Sequence, residues 1–204
     1  RINYNYDMRY LISFVARYDG ISKLKDNRWG FFPGVSVGWN IMEERFWKDS
    51  KISGVISNLK PRLSYGVNGN VNGIGNDVYG AYSQVGAKTY GGSTAFYNSG
   101  LVNTGLRWEQ SQSFEAGLDI GFLNNRLSFI LDYYNRTTKD LLTKQALPGY
   151  TGFTEIMTNM GTLRNYGFEM EVRANILNNP KGLTWDVTAN LSSVANKIVK
   201  LPYN

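Results

Sequence analysis

The 204 residues contain no cysteine and no histidine. Without cysteine there is no disulfide, no thiolate nucleophile and no thiolate metal site; without histidine the usual general base and the commonest transition-metal ligand are gone as well. No catalytic residue, metal ligand or cofactor is therefore expected, and an enzyme is the most distant reading. No run approaches the about 18 to 20 consecutive apolar residues of a membrane helix, and Arg1 opens directly on a patterned segment without a signal-like apolar stretch. The net charge is +6, but acids and bases interleave, so no footprint for nucleic acid is formed. Apolar residues at 42% and aromatics at 14% exclude a disordered chain.

What the chain has is alternation. From Ile2 to Tyr18 the even positions are apolar or aromatic and the odd positions mostly polar, which reads as one long strand ending at Asp19. The same rule returns at 29–41, 59–68, 113–122, 126–142, 165–176 and 185–192, with Phe32 as an exception on the polar side. Seven strands are read, most of them longer than the five or six residues usual in globular sheets.

The polar face carries full charges: Arg62, Glu115, Asp119, Asp132, Glu169, Glu171, Arg173 and Asp186. A soluble sandwich points its apolar face at a core, whereas an outer-membrane barrel points it at lipid and keeps polar residues in the lumen. Strand length, the charged face and aromatic residues near strand ends (Tyr18, Trp29, Trp39, Tyr65 and Trp185) predict an all-β, antiparallel transmembrane barrel segment. Those eight charged residues are the expected lumen-facing candidates. Seven strands leave two edges that hydrocarbon does not tolerate, so the segment is expected to belong to one larger barrel domain. A soluble β-sheet binding or adhesive domain is the bland alternative.

Connections 20–28, 71–105 and 143–158 form one set, and 42–57, 124–125 and 178–182 the other. Outer-membrane barrels have long outer loops and short periplasmic turns, so Asn124-Asn125 and 178–182 are read as periplasmic and the first strand as running outward. The long inner connection containing Glu43, Glu44, Phe46 and Trp47 is expected to hold a helical turn, and Pro33 and Pro61 to interrupt pairing. Loop 71–105 carries Tyr79, Tyr82, Tyr90, Phe96 and Tyr97, which either stack on a sugar or partner, or pin the loop to the barrel mouth. The glycine-rich 66–80 segment lacks the Lys-Ser/Thr of a phosphate loop, and the Glu169/Glu171 spacing alone does not mark a glycosidase.

These stretches resemble the SusC-like branch of TonB-dependent outer-membrane transporters of Bacteroidetes-type bacteria. The similarity is carried by Ala16-Arg17-Tyr18-Asp19-Gly20, Asn27-Arg28-Trp29-Gly30-Phe31-Phe32-Pro33, Leu59-Lys60-Pro61-Arg62 and Ser64-Tyr65-Gly66-Val67-Asn68-Gly69-Asn70. It continues through Gly117-Leu118-Asp119-Ile120-Gly121-Phe122-Leu123-Asn124-Asn125-Arg126-Leu127 and Asp132-Tyr133-Tyr134-Asn135-Arg136-Thr137-Thr138-Lys139-Asp140. The resemblance implies a twenty-two-stranded barrel, an N-terminal plug, a TonB-contacting segment and a SusD-like surface lipoprotein as lid. Plug, TonB segment and lid lie outside this chain, which looks like a C-terminal part of the barrel. It further implies import of a glycan, or otherwise a peptide, with outer-membrane lipid around the barrel. A passive porin is the rival that shares the architecture.

Overall fold

The computed structural model describes residues 1–74, 85–179 and 182–201. The chain runs through β1 (Ile2–Tyr6), β2 (Tyr10–Gly20), β3 (Trp29–Trp39), β4 (Ile56–Asn70), β5 (Val85–Tyr90) and β6 (Ser93–Asn98). It continues through β7 (Glu109–Phe122), β8 (Leu127–Lys139), β9 (Leu142–Ala146), β10 (Glu155–Asn159), β11 (Thr162–Asn178) and β12 (Thr184–Lys200). Eight of these make one antiparallel sheet in the order β1-β2-β3-β4-β7-β8-β11-β12. It is a meander, with the hairpins β5–β6 and β9–β10 inserted into two of the loops.

Register aligns the apolar residues across the sheet. Ile12 pairs with Val37, Val37 with Leu63, Leu63 with Ala116, Ala116 with Tyr133, and Tyr133 with Phe168. Two rows nearer the short turns, Pro61 pairs with Leu118, Leu118 with Leu131, Leu131 with Met170, and Met170 with Leu191. A one-residue slip at any seam would turn a strand's apolar set to the opposite face, so the alternation itself holds the register. The result is a sheet with one face that carries no charge in these rows, Arg164 and Lys197 standing on it towards the long-loop end. Its accessible surface is 13915 Å² for 23.0 kDa, against about 9600 Å² for a compact soluble monomer of that mass. Among the described residues nothing packs over the apolar face as a core, and Ile12, Val37, Leu63 and Phe168 on it stay 42%, 41%, 48% and 40% exposed.

The first segment departs from the sequence reading. Residues 2–19 are two strands, because Asp7 and Met8 take φ of 51° and 57° and the chain turns back, with Arg9 N donating to Tyr6 O at 2.9 Å. Tyr6 then pairs with Tyr10 and Ile2 with Phe14. A loop of three residues leaves even opposite even, so the alternation passes through the turn without a break. The sheet thus has eight strands and not seven; β2 keeps the expected direction and β1 runs the other way.

Elsewhere the turns follow the side-chain chemistry. Leu123, Asn124 and Asn125 adopt φ of 53°, 58° and 60° between β7 and β8, a conformation that asparagine tolerates well. Among the described residues, β3 and β4 pair only over Gly34–Gly38 and Arg62–Gly66. The next pair on one side would include Pro33 and on the other Pro61, neither of which has an N–H to donate. The expected gaps are therefore both in one seam.

The connection from β3 to β4 forms short helical turns at Ile41–Glu43, Arg45–Lys48 (α1) and Lys51–Gly54. Glu44 fastens it to the sheet: Tyr10 Oη donates to Glu44 Oε1 at 2.6 Å, Trp39 Nε1 donates to the same oxygen at 3.1 Å, and Arg9 lies 3.8 Å from Oε2. Tyr10 and Trp39 stack at 6.4 Å, while Tyr18 and Trp29 stack at 5.2 Å towards the long-loop end. Eight residues separate Tyr10 from Tyr18, or about 26 Å at strand rise, close to the apolar height of an outer-membrane barrel. Tyr65 does not sit at a strand end; it pairs in mid-strand with Val35 and Phe114.

Replacing Leu118 by Arg should cost about 2 to 4 kcal/mol for folding into lipid, because its row lies between the two aromatic rims; an unchanged stability in lipid vesicles would contradict the assigned face. The hydrogen bonds from Tyr10 and Trp39 hold the Glu44 carboxyl below its ordinary value of 4.5. Its stabilising effect is therefore present above that value and is lost as pH falls through the depressed one. Comparing unfolding of Glu44→Gln with the unaltered chain across acidic pH should show a gap at neutral pH that closes below pH 4.5; a pH-independent gap would contradict it.

Candidate functional site on the charged face and at the loop base

The eight charged candidates share the face opposite the apolar rows. Arg62 on β4, Gly117 on β7, Asp132 on β8 and Glu169 on β11 occupy one row of the ladder. Arg62 donates through Nε and Nη2 to Asp119 Oδ1 at 3.1 and 2.8 Å, and its Nη2 also reaches Asp132 Oδ1 at 3.1 Å. That second bond crosses β7, and the crossing needs Gly117: a Cβ there would lie 2.9 Å from Arg62 Cζ and would also meet Asp132 Oδ1. One guanidinium thus ties three adjacent strands on their polar side.

The remaining candidates are less closely joined. Glu115 accepts from Ser64 Oγ at 3.3 Å, Arg173 donates to Glu171 two residues along the same strand, and Asp186 accepts from Asn175 Nδ2 at 2.7 Å. Glu169 has no hydrogen-bond or ion-pair partner among the described residues. It borders an open groove of 670 Å³ with Arg62, Glu115, Asp132, Arg136 and Asn196. Carboxylates, guanidinium groups, amides and two tyrosines line this polar surface, which suits contact with hydrated polar solutes. Among the described residues no three His, Cys, Asp or Glu side chains converge as a metal site.

The second constellation, at the long-loop end, was not legible in the sequence. Leu24, Val71 and Leu106 form a small buried core, with Ile21, Trp108, Leu142 and Met157 packed against it. Phe32, the exception to the alternation, is 3% exposed and meets Trp108 edge to face at 5.3 Å. Polar bonds fasten the three long loops over this core. Asn159 Nδ2 donates to Arg107 O and Asp140 O at 2.8 and 2.9 Å, and its Oδ1 accepts from Arg107 N at 2.8 Å. Trp108 Nε1 donates to Arg28 O, and Asn103 Nδ2 to Met157 O. Arg107 also pairs with Asp140 at 2.6 Å, a hydrogen bond and charge that raise the guanidinium's already high pKa. Isolated Leu24 and Leu106 among polar loop residues were the signal available, and no periodicity marks such residues.

The aromatic loop candidates divide. Tyr79 and Tyr82 lie outside the described residues. Tyr90, Phe96 and Tyr97 stand on the β5–β6 hairpin, and Tyr90 and Phe96 are 83% and 76% exposed. Leu106, Val71 and Trp108 pack together at the loop base, Trp108 also against Phe32 of the sheet. Lys88 sits 5.1 Å over the Tyr97 ring, while Tyr90, Phe96 and Val85 are exposed apolar side chains of the hairpin.

Replacing Asn159 by Ala removes three hydrogen bonds at the loop base, a local cost of about 1 to 3 kcal/mol. Limited proteolysis should then cut within 99–108 faster, while hydrogen exchange in β7 and β8 stays slow; an unchanged cleavage rate would contradict the clasp.

Residues 1–202 match the family described as TonB dependent receptor-like, beta-barrel. The chain is 40% identical over 214 residues to TonB-dependent receptor SusC of Bacteroides thetaiotaomicron, covering 98% of this chain and 20% of that protein. It is 36% identical over 207 residues to TonB-dependent receptor P3 of Formosa agariphila, covering 99% of this chain and 20% of that one. Among solved structures, the RagAB peptide importer in its closed-closed state matches with TM-score 0.87 at 30% identity, over 98% of this chain and 22% of that chain. Its open-open state also gives 0.87, over 98% and 21%. The chain spans about a fifth of the length of these curated relatives, both of them TonB-dependent receptors. Family match, identity and fold together show that this chain belongs to the TonB-dependent receptors, in their SusC-like branch, and that its sheet is part of an outer-membrane β-barrel.

Proposed function

We propose that this sheet is part of the wall of a transporter that imports an oligomeric nutrient across the bacterial outer membrane, driven through TonB. The plug, the TonB-contacting segment and the remaining strands of a twenty-two-stranded barrel belong to the full-length protein in this reading, and a SusD-like surface lipoprotein lids the outer mouth. The observation that carries it is the division of the sheet into a mainly apolar face, charged towards the long loops at Arg164 and Lys197, and a face rich in charges. On that division Arg62, Glu115, Asp119, Asp132, Glu169, Glu171, Arg173 and Asp186 face the lumen and meet the plug or a hydrated substrate.

The hairpin carrying Tyr90 and Phe96 stands beyond the clasped loop base, where substrate or lid contact would fall. The equal fit to the closed-closed and open-open states of RagAB, TM-score 0.87 each, supports a wall that stays fixed while other parts move. A glycan is the proposed cargo, since the wet face offers hydrogen bonds and exposed aromatics in place of a deep apolar pocket. A peptide is the second reading, favoured by the match to a peptide importer at 30% identity.

Uptake of labelled oligosaccharide and labelled peptide should be measured in cells carrying or lacking the full-length gene, with TonB present or removed. Loss of uptake of one cargo class in both deletions is expected. Uptake that survives removal of TonB would replace the transporter with a passive pore, and unchanged uptake of both classes without the gene would end the import reading.

A further inference from the structure

The β3–β4 seam separates at both ends, and the two ends are treated differently. At the long-loop end the ring of Phe32 fills the separation. It presses against the bare backbone of Gly30 and Gly69, at both of which a Cβ would overlap the ring, and it is 3% exposed. At the short-turn end, below the Gly38–Arg62 pair, the Lys60 side chain crosses to Gly38 on the polar face, and no ring fills the separation on the apolar side. The strands instead leave a groove of 440 Å³ walled by Tyr10, Ile12, Val37, Trp39, Pro61 and Leu63.

These six belong to the apolar face, while Leu11 and Gly38, of the opposite face, close the floor; the groove runs directly into the surface that the barrel turns to lipid. Its rim is held open. Tyr10 Oη and Trp39 Nε1 both donate to Glu44, which is itself buried, so neither ring is free to swing in and close the gap. Val37 and Leu63 remain 41% and 48% exposed on its walls. A preformed apolar groove open to hydrocarbon is filled by hydrocarbon, since leaving it empty forfeits dispersion contacts on every wall. A protein segment would instead have to bring backbone N–H and C=O groups to this depth without partners.

We propose that this groove seats one acyl chain of a phospholipid from the periplasmic leaflet, as a resident lipid distinct from the exchanging lipid around the barrel. The aromatic rim places it at the inner edge of the apolar band, where the glycerol ester end of such a lipid reaches the interface. This site stands on the outer-membrane location and on the rule that short turns are periplasmic, and it is independent of the cargo imported.

The test uses the full-length transporter, purified in mild detergent and examined by native mass spectrometry with phospholipid analysis of the same sample. A phospholipid adduct that survives detergent washing is expected. Val37→Phe fills the groove from the β3 wall and should lower the retained adduct about tenfold, equivalent to about 1.4 kcal/mol of binding. Leu63→Phe does the same from the β4 wall and serves where Val37→Phe fails to assemble, with heat-modifiable migration reporting an intact barrel. Leu131→Phe adds bulk on the same face away from the seam and should retain the adduct. Absence of the adduct from the unaltered protein, its full retention in both filling variants, or its equal loss in Leu131→Phe would each overturn the site. Because uptake is not read, failure here is distinguishable from failure of the import reading.

Discussion

Hydrocarbon offers no water to a peptide group, and this one constraint orders the whole sheet. Every backbone N–H and C=O in the membrane has to find a partner on a neighbouring strand, and every second side chain has to be apolar. Period-two patterning meets both demands at once, since the register that aligns Leu118 with Leu131 and Leu131 with Met170 is also the one that completes the ladders. Among the described residues the β4–β7 and β11–β12 ladders slip at strand ends, but the rule is relaxed furthest at the β3–β4 seam, where two prolines without N–H groups bound the paired stretch. The molecule fills one end of that seam with Phe32 and leaves the other to the membrane.

The opposite face is governed by water. Charges there need not be excluded, only compensated, and Arg62 compensates two carboxylates by reaching over Gly117. Such half-exposed pairs contribute little to stability; what they set is a polar wall of fixed charge. Among the described residues a core of the ordinary soluble kind exists only at the long-loop end, where Leu24, Val71 and Leu106 are shut under three loops. Two solvents thus produce two kinds of packing in one chain, and the clasped loop base is the joint between them.

Alternation made the strand faces legible, together with the girdle pairs and the Asn124-Asn125 turn, because each is a local consequence of side-chain type. The hairpin at Asp7–Arg9 was hidden because a three-residue loop keeps parity, and a parity scan detects only breaks in phase. Phe32 was visible as a violation but not as a wedge, since Gly69, which makes room for it, is distant in sequence and on another strand. The loop core was invisible for a related reason: Leu24, Val71 and Leu106 follow no period, and only the meander brings them together. The face assigned to Arg62, Asp119 and Asp132 could be read from parity; that one guanidinium would hold both carboxylates required the register of three strands.

The most direct test is a spin-label scan from Ser113 to Phe122 in the full-length protein in lipid, with a single cysteine introduced at each site in turn and any native cysteine replaced. Relaxation by oxygen, which concentrates in hydrocarbon, should peak at positions 114, 116, 118, 120 and 122, and relaxation by an aqueous nickel chelate at 113, 115, 117, 119 and 121. Equal accessibility of both sets to the aqueous agent, or the two sets exchanged, would contradict a wall with lipid on one side and water on the other.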